Sequence, residues 1–190
     1  SAKSIGSVAA QTGKKLVLTE TFGCSGYGVT PKELKLIADK QYVYGVDLMC
    51  QHLYNYTFSK LGKIDCPPSF GRIMPWKSFY KSFNDYFSKL GYMIASSEEK
   101  TEVAVVTPME SIYLDYLRLS EDKSRTEVDV PFIGLLSELK KRGVSYHFIN
   151  EKIAEKLGRV ENGKLIIGEK SYSQVVLNPA KEMKSSTLSL

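Results

Sequence analysis

Residues 16–28 read LVLTETFGCSGYG, a short apolar run that reaches a carboxylate at Glu20 and then breaks into a glycine-containing loop. Apolar runs of this length between turn residues are typical of buried strands. In barrel enzymes the catalytic groups stand where parallel strands end, which makes Glu20 a candidate acid or base. The alternative is a glutamate that only pairs locally, and the residues alone leave the two interpretations equally open.

Composition limits the classes of protein. The 190 residues are 43% hydrophobic with a formal net charge of +5, which fits one large or two small globular domains. Lysines are scattered among the acids and no run of five or six like charges occurs, so neither a nucleic-acid nor a membrane-surface partner is expected. No apolar stretch approaches the roughly 20 residues of a membrane helix. The three cysteines and two histidines lack zinc-ligand spacing, and no phosphate-binding glycine motif occurs.

The sequence after this stretch predicts a β-α-β unit. Residues 30–33, TPKE, combine an N-cap threonine, a proline at the first helical position and a glutamate at the third, which is a capping-box start. This helix should run to about Tyr44, and residues 46–53 should form a second buried strand. Such units build parallel sheets. A further helix over 76–95 carries an aromatic face, for which core packing is far more common than a ligand box.

The polar segment 96–101 predicts a domain boundary, placed after residue 97. Strands are then expected over 103–106, 144–149 and 172–177, with helices between them and a hairpin arm at 164–168. This β-α-β-α-β order is typical of a doubly wound parallel sheet. A charged loop is expected over 120–126 and another helix from Pro179 onward.

Several segments carry a resemblance to a known family. Residues 15–56, with PPSFG at 67–71 and PWKSFYKSFNDYFSKL at 75–90, resemble the last part of the catalytic barrel of glycoside hydrolase family 106, the α-L-rhamnosidase-like enzymes. Residues 103–113 and 145–180 resemble the flavodoxin-like domain that follows that barrel. The resemblance implies an α/β fold: a partial (β/α) barrel segment over residues 1–97, then a small, truncated flavodoxin-like parallel-sheet domain over 98–190.

The same resemblance implies hydrolysis of rhamnosyl or related glycosides in polysaccharides, with inversion and a dependence of the full-length protein on calcium. By position, Glu20 would be a catalytic acid or base or a group near the metal. His52 would hydrogen-bond a sugar hydroxyl, and Tyr54 and Tyr56 would stack on a sugar face. For His52 a purely structural role stays equally open. The cellular location is undetermined, and a periplasmic or extracellular full-length protein is compatible with the resemblance.

Inverting hydrolysis needs two carboxyl groups, and the chain offers one good candidate. Asp47, Asp65 and Glu110 have ordinary structural interpretations, and Cys24 has no histidine near it in sequence. We therefore expect a glycoside hydrolase fragment that is inactive alone.

Two other functions stay open. One is a non-catalytic carbohydrate-binding or interaction module that uses the loop from Tyr54 to Trp76. The weaker one is a flavin or nucleotide binder over 103–177, although residues 107–110, TPME, lack the glycines that phosphates prefer. Unpaired strand edges also predict a homo-oligomer.

Overall fold

The computed structural model describes residues 1–63, 66–115, 127–178 and 180–190. The chain divides into two compact units. Unit 1 comprises Ser1–Gly6 and Lys15–Glu98, and unit 2 comprises Ser7–Lys14 and Glu99–Leu190. Helix α1 (Ala2–Gln11) opens the chain. The assignment of residues 1–97 to a barrel and of 98–190 to a flavodoxin-like domain stays a prediction.

Unit 1 contains the predicted β-α-β order. Its elements are β1 (Leu18–Thr21), α2 (Pro31–Val43), β2 (Leu48–Gln51) and α3 (Tyr80–Ala95), with 3-10 turns at Lys60–Lys63 and Lys77–Phe79. The two strands pair in parallel, from Leu18 opposite Leu48 to Thr21 opposite Gln51. Strand β1 runs past Glu20 to Thr21, so the strand does not end at the carboxylate as the sequence predicts.

Helix α2 begins with the predicted capping box. The Thr30 hydroxyl accepts a hydrogen bond from the Glu33 N–H at 3.3 Å, and the Glu33 carboxylate accepts from the Thr30 N–H at 2.8 Å. The Thr30 backbone N–H, and then its hydroxyl, hold the pKa of Glu33 below its ordinary value. Gly45 follows the helix with φ +93°, a conformation that favours glycine.

The helices of unit 1 cover one face of its sheet. The core residues on this side are Phe22, Leu34, Ala38, Tyr42, Phe70, Met74 and Phe87. The opposite face is uncovered: Leu18 is 54% exposed and Leu48 is 44% exposed. The prediction of two buried strands is therefore wrong, because a parallel sheet is buried only when both faces are covered. The aromatic face predicted over 76–95 does not pack in the core along its whole length, since α3 begins at Tyr80 and Phe79, which precedes it, is exposed.

Unit 2 contains the expected parallel strands. Its elements are β3 (Val103–Val106), α4 (Met109–Asp115), α5 (Asp129–Lys141), β4 (Tyr146–Ile149), α6 (Glu151–Leu157), β5 (Gly158–Glu161), β6 (Lys164–Ile167), β7 (Lys170–Tyr172), β8 (Gln174–Val176) and α7 (Ser185–Leu188). One sheet has the parallel order β4-β3-β8, and β5-β6-β7 form an antiparallel sheet. Asp65, the loop 120–126 and Pro179 lie outside the described residues.

The parallel sheet of unit 2 is covered on both faces. Ala104 and Val106 belong to one cluster with Ile167 and Tyr172, whereas Val103 and Val105 belong to a second cluster. The second cluster packs against apolar residues of α5, namely Phe132, Leu135, Leu136 and Leu139. All four residues of β3 are consequently buried. In the part of the chain that the structure describes, no helix has the length and apolar character to span a bilayer.

Candidate functional site

Parallel pairing brings Glu20 and His52 to the same end of the sheet. Glu20 lies opposite Cys50 on β2, and Thr21 lies opposite Gln51. His52 follows directly, and its backbone N–H donates to the Thr21 carbonyl at 2.7 Å. The Nε2 atom of His52 is 3.8 Å from Oε1 of Glu20, with the carboxylate side chain 71% exposed and the imidazole 26% exposed. A carboxylate and an imidazole thus share one solvent-accessible edge.

A tight turn after β1 lies against the imidazole. Phe22 and Cys24 both have positive φ, +78° and +62°, which is uncommon for residues other than glycine. The Phe22 ring is buried and packs on Phe70, with ring centroids 5.7 Å apart. Ser25 donates its N–H and its hydroxyl to the Phe22 carbonyl at 3.1 and 2.6 Å. Gly23 lies between Phe22 and Ser25, so close to His52 that a Cβ added to it would be 3.2 Å from the imidazole Nδ1.

Polar side chains on the helix-facing side hold the strand ends. Gln41 of α2 accepts hydrogen bonds from the hydroxyls of Thr19 and Thr21, at 2.6 and 2.9 Å. On β2, Gln51 accepts from the Tyr80 hydroxyl at 2.9 Å and donates to an asparagine of α3 at 2.7 Å. The sequence patterns do not predict these contacts. Their only signal is the presence of polar residues on the face that packs against the helices.

The loop after β2 begins with the predicted aromatic residues. The His52–Leu53 peptide bond is cis. Tyr54 is 69% exposed, and its ring edge lies beside Gly71. Tyr56 is fully exposed. Both rings are accessible to a ligand, and their stacking role stays a prediction.

Other carboxylates of unit 1 serve local structure. Asp47 precedes β2, and its Oδ1 accepts from the Val17 N–H at 2.9 Å, at the amino ends of the strands. Glu33 completes the capping box. Asp85 pairs with Lys81 one helical turn away, at 2.6 Å. Glu20 is therefore the carboxylate that the described fold presents at the strand ends.

The described residues supply no ligand set for the implied calcium. Ca²⁺ takes six to eight oxygen ligands, mostly from carboxylates and carbonyls. Within residues 1–63, 66–115, 127–178 and 180–190 there is no cluster of three or more His, Cys, Asp or Glu that could hold a metal ion. The side chains in these ranges therefore do not fit a bound calcium ion.

Two concave regions lie away from these residues. A groove of about 340 Å³ in unit 1 runs between β2 and α3 and is lined by residues such as Leu48, Asn84 and Gly91. Glu20 and His52 are not among its lining residues. A cavity of about 380 Å³ in unit 2 is lined by Glu110, Tyr113, Glu182, Met183 and Lys184. Its two carboxylates disfavour the phosphate of a flavin or nucleotide.

Comparison with known proteins points to glycoside hydrolases. No family model matches the chain. It is 26% identical over 194 residues to a protein of Formosa agariphila named "Putative beta-glucuronidase", across 99% of this chain and 15% of that protein. The solved structure of a rhamnosidase from Novosphingobium sp. PP1Y matches with a TM-score of 0.66 and 17% identity, across 99% of this chain and 18% of that one.

The chain therefore spans less than a fifth of the length of either protein. The structural match is compatible with the α/β fold and its parallel sheets, and both matched proteins have names of glycoside hydrolases, without singling out family 106. The finding is a chain that is similar, along nearly all of its own length, to a small part of larger glycoside hydrolase-like proteins.

Proposed function

We propose that this chain contributes part of the catalytic site of a larger glycoside hydrolase and does not hydrolyse glycosides by itself. The observation that carries the proposal is the position of Glu20 and His52, which come from two parallel strands and lie 3.8 Å apart at their carboxyl ends. Barrel enzymes build their sites at this end of their strands. In the proposal Glu20 is the acid or base, and His52 is a hydrogen-bonding contact to the sugar.

The chemistry explains the expected inactivity. Glycoside hydrolysis uses two carboxyl groups, roughly 5–5.5 Å apart with retention or 6.5–9.5 Å apart with inversion. Glu20 is one such group, and the described carboxylates Glu33, Asp47 and Asp85 are committed to local contacts. A closed barrel needs eight strands, whereas the described residues of unit 1 form a parallel sheet of two. In this proposal the rest of the larger enzyme supplies the second carboxylate.

The relatives' names support a substrate class. One is called a rhamnosidase and the other a beta-glucuronidase. Under this proposal the substrate is a rhamnosyl or related glycoside of a polysaccharide. Tyr54 and Tyr56 would extend the sugar-binding surface by stacking, since both rings are exposed two and four residues after His52.

Hydrolysis assays test the catalytic part of the proposal. The chain and its Glu20→Gln variant are incubated with aryl rhamnosides, galactosides and glucuronides, with and without calcium. We expect no turnover from either protein. Turnover by the chain that Glu20→Gln abolishes would show that the chain holds a complete site and would overturn the proposal.

Sugar titrations followed by NMR test the binding part. We expect weak binding of methyl α-L-rhamnoside or methyl β-D-glucuronide, weakened at least about fivefold by Glu20→Gln. Asp85→Asn is the matched control, because it neutralises an exposed carboxylate on α3 that pairs with a neighbouring lysine. If affinity depends on Tyr54 and Tyr56 and not on Glu20, the chain is a non-catalytic carbohydrate-binding module instead.

A further inference from the structure

The imidazole of His52 has two unlike nitrogens. Nε2 faces Glu20 at 3.8 Å, at the solvent-accessible edge. Nδ1 is buried and has no hydrogen-bond partner within the part of the chain that the structure describes. Gly23 lies beside this nitrogen: a Cβ added to Gly23 would be 3.2 Å from Nδ1 and 3.3 Å from Cγ. Because Gly23 has no side chain, the imidazole can occupy this position without a close contact.

The burial of Nδ1 decides which nitrogen carries the proton. A neutral imidazole has one N–H donor and one acceptor nitrogen. A buried N–H without a partner is rarer and more costly than an under-satisfied acceptor. The proton therefore belongs on Nε2, where solvent or a ligand can accept it.

We propose that His52 is held in its Nε2–H tautomer by Gly23, and that it donates a hydrogen bond to a ligand hydroxyl that in turn donates to Glu20. The ligand part of this inference rests on the proposed function, whereas the tautomer and the role of Gly23 do not. Gly23 is a positioning residue, because it acts through the His52 ring and not on the ligand.

The gap between the two side chains selects the chemistry of the ligand. A separation of 3.8 Å is too long for a direct hydrogen bond. An oxygen at roughly 2.8 Å from both atoms bridges them, provided that it accepts from Nε2–H and donates to the carboxylate. A hydroxyl group does both. A carboxylate or phosphate can only accept, and Glu20 would repel it, so the pair selects a sugar hydroxyl over the acidic group of a uronic acid.

The tautomer is measured by long-range ¹H–¹⁵N correlation NMR on histidine-labelled protein at about pH 8.5, where imidazoles are generally neutral. The chain has two histidines, and the His52→Gln spectrum identifies the signals of His52. We expect a protonated Nε2 and an unprotonated Nδ1 for His52. The opposite pattern overturns the inference, whether or not a sugar binds.

Glycine variants test the positioning role. Gly23→Ala should displace the ring by a few tenths of an ångström, shift the His52 signals toward a mixture of tautomers, and weaken methyl α-L-rhamnoside binding about three- to tenfold. Gly28→Ala is the matched control in the same loop, since nothing lies within 4 Å of an added Cβ there and its φ is not positive. Identical His52 signals in wild-type protein and Gly23→Ala would exclude the role of Gly23.

Sugar titrations combined with the tautomer measurement distinguish a failure of this inference from a failure of the proposed function. If the wild-type chain binds no sugar while His52 shows the expected tautomer, the proposed function and the proposed contact of His52 with a ligand are refuted. The assignment of the tautomer is then still correct. Binding of methyl β-D-glucuronide that is lost when its carboxylate is reduced to an alcohol would refute the hydroxyl bridge and leave the proposed function intact.

Discussion

Each unit of this chain pairs a histidine with a glutamate, and the two pairs differ in nearly every physical respect. His52 and Glu20 are 3.8 Å apart at an open strand end, with the glutamate side chain 71% exposed. The His147 side chain is fully buried on β4, and its Nε2 is 3.2 Å from Glu99. Among the described residues the buried Nδ1 of His52 has no hydrogen-bond partner, whereas Nδ1 of His147 is 2.9 Å from the Tyr172 hydroxyl.

The partners of His147 form a continuous chain of hydrogen bonds. Gln11 Nε2 donates to the Tyr172 hydroxyl at 3.0 Å and to the Phe148 carbonyl at 2.9 Å. The Glu99 carboxylate can only accept, so Nε2 of His147 carries the proton, and Nδ1 of the neutral imidazole then accepts from the Tyr172 hydroxyl. Every hydrogen-bonding position of this imidazole is used. The comparison teaches that the same two residue types stabilise the fold in unit 2 and stay available to a ligand in unit 1.

The largest expected effect separates the two histidines. His147→Ala should lower the free energy of unfolding of unit 2 by about 2–4 kcal/mol, because it leaves a cavity and removes one buried and one partly buried hydrogen bond. His52→Ala should cost less than about 1 kcal/mol. Amide hydrogen exchange of β3 and β4 measures the first change, and urea unfolding followed by Trp76 fluorescence measures the second. Equal losses would contradict the distinction between the pairs.

The next effect concerns Tyr172, which is part of the buried chain of hydrogen bonds around His147. Tyr172→Phe should cost about 1–3 kcal/mol, since Gln11 and His147 both lose a buried partner. Hydrogen exchange of β7 and β8 measures it. Tyr113→Phe, at an exposed position on α4, is the matched control and should change stability by less than about 0.5 kcal/mol. A Tyr172→Phe protein as stable as the control would show that the chain of hydrogen bonds contributes little.

The same tyrosine predicts a dependence on alkaline pH. Burial, with a smaller contribution from Glu99, raises the pKa of Tyr172 to about 12, although the hydrogen bond from Gln11 opposes this. The raised value favours the neutral phenol in the folded state, so its contribution is complete below about pH 10 and is lost as the pH rises toward 12. Between pH 9 and 12 the free energy of unfolding should fall more steeply with pH for wild-type protein than for Tyr172→Phe. Parallel curves would contradict this.

A smaller effect tests whether both units rely on local helix signals. Thr30→Ala removes the capping box of α2 and should cost about 1 kcal/mol. Asn150→Ala removes the single cap of α6, where the side chain accepts from the Lys152 N–H at 3.0 Å, and should cost somewhat less. Exchange rates of the first-turn amides report each loss. Unchanged rates in Thr30→Ala would show that packing alone fixes the start of α2.

The smallest expected effect is on the stability of the Glu20 variant. Glu20→Gln should change the unfolding free energy by less than about 0.5 kcal/mol, because the carboxylate is exposed and too far from His52 for a hydrogen bond. Trp76-detected urea unfolding measures it. A larger loss would mean that the carboxylate stabilises the fold rather than serving a ligand.

Local patterns account for much of the fold. The capping box at Thr30 and Glu33 and the apolar strand Val103–Val106 follow from short windows of sequence. Strand β5 has the sequence GRVE, in which valine is the one large apolar residue, so a hydrophobic pattern does not predict it. Its signal is the Asn162–Gly163 pair, both with positive φ, which joins β5 to β6 as a tight hairpin.

Long-range contacts could not be predicted in the same way. Gln11 and Tyr172 are 161 residues apart in sequence, and nothing local indicates that they meet. Placing Glu20 and His52 at strand ends needed only the β-α-β pattern and the resemblance to a family. Whether His52 is structural or binds a ligand depends on the surroundings of Nδ1, which three-dimensional packing alone determines.

The membership of residues 7–14 in unit 2 has a consequence for synthesis on the ribosome. The Ser7 hydroxyl accepts a hydrogen bond from the backbone N–H of Phe148, which is synthesised 141 residues later. Residues 15–98 can pack as soon as they emerge, because their core lies within one continuous segment. At elongation rates of about 5–20 residues per second, the early segment waits several seconds or more for its partners. We expect nascent chains to complete unit 1 before unit 2, with residues 7–14 accessible to chaperones in the meantime.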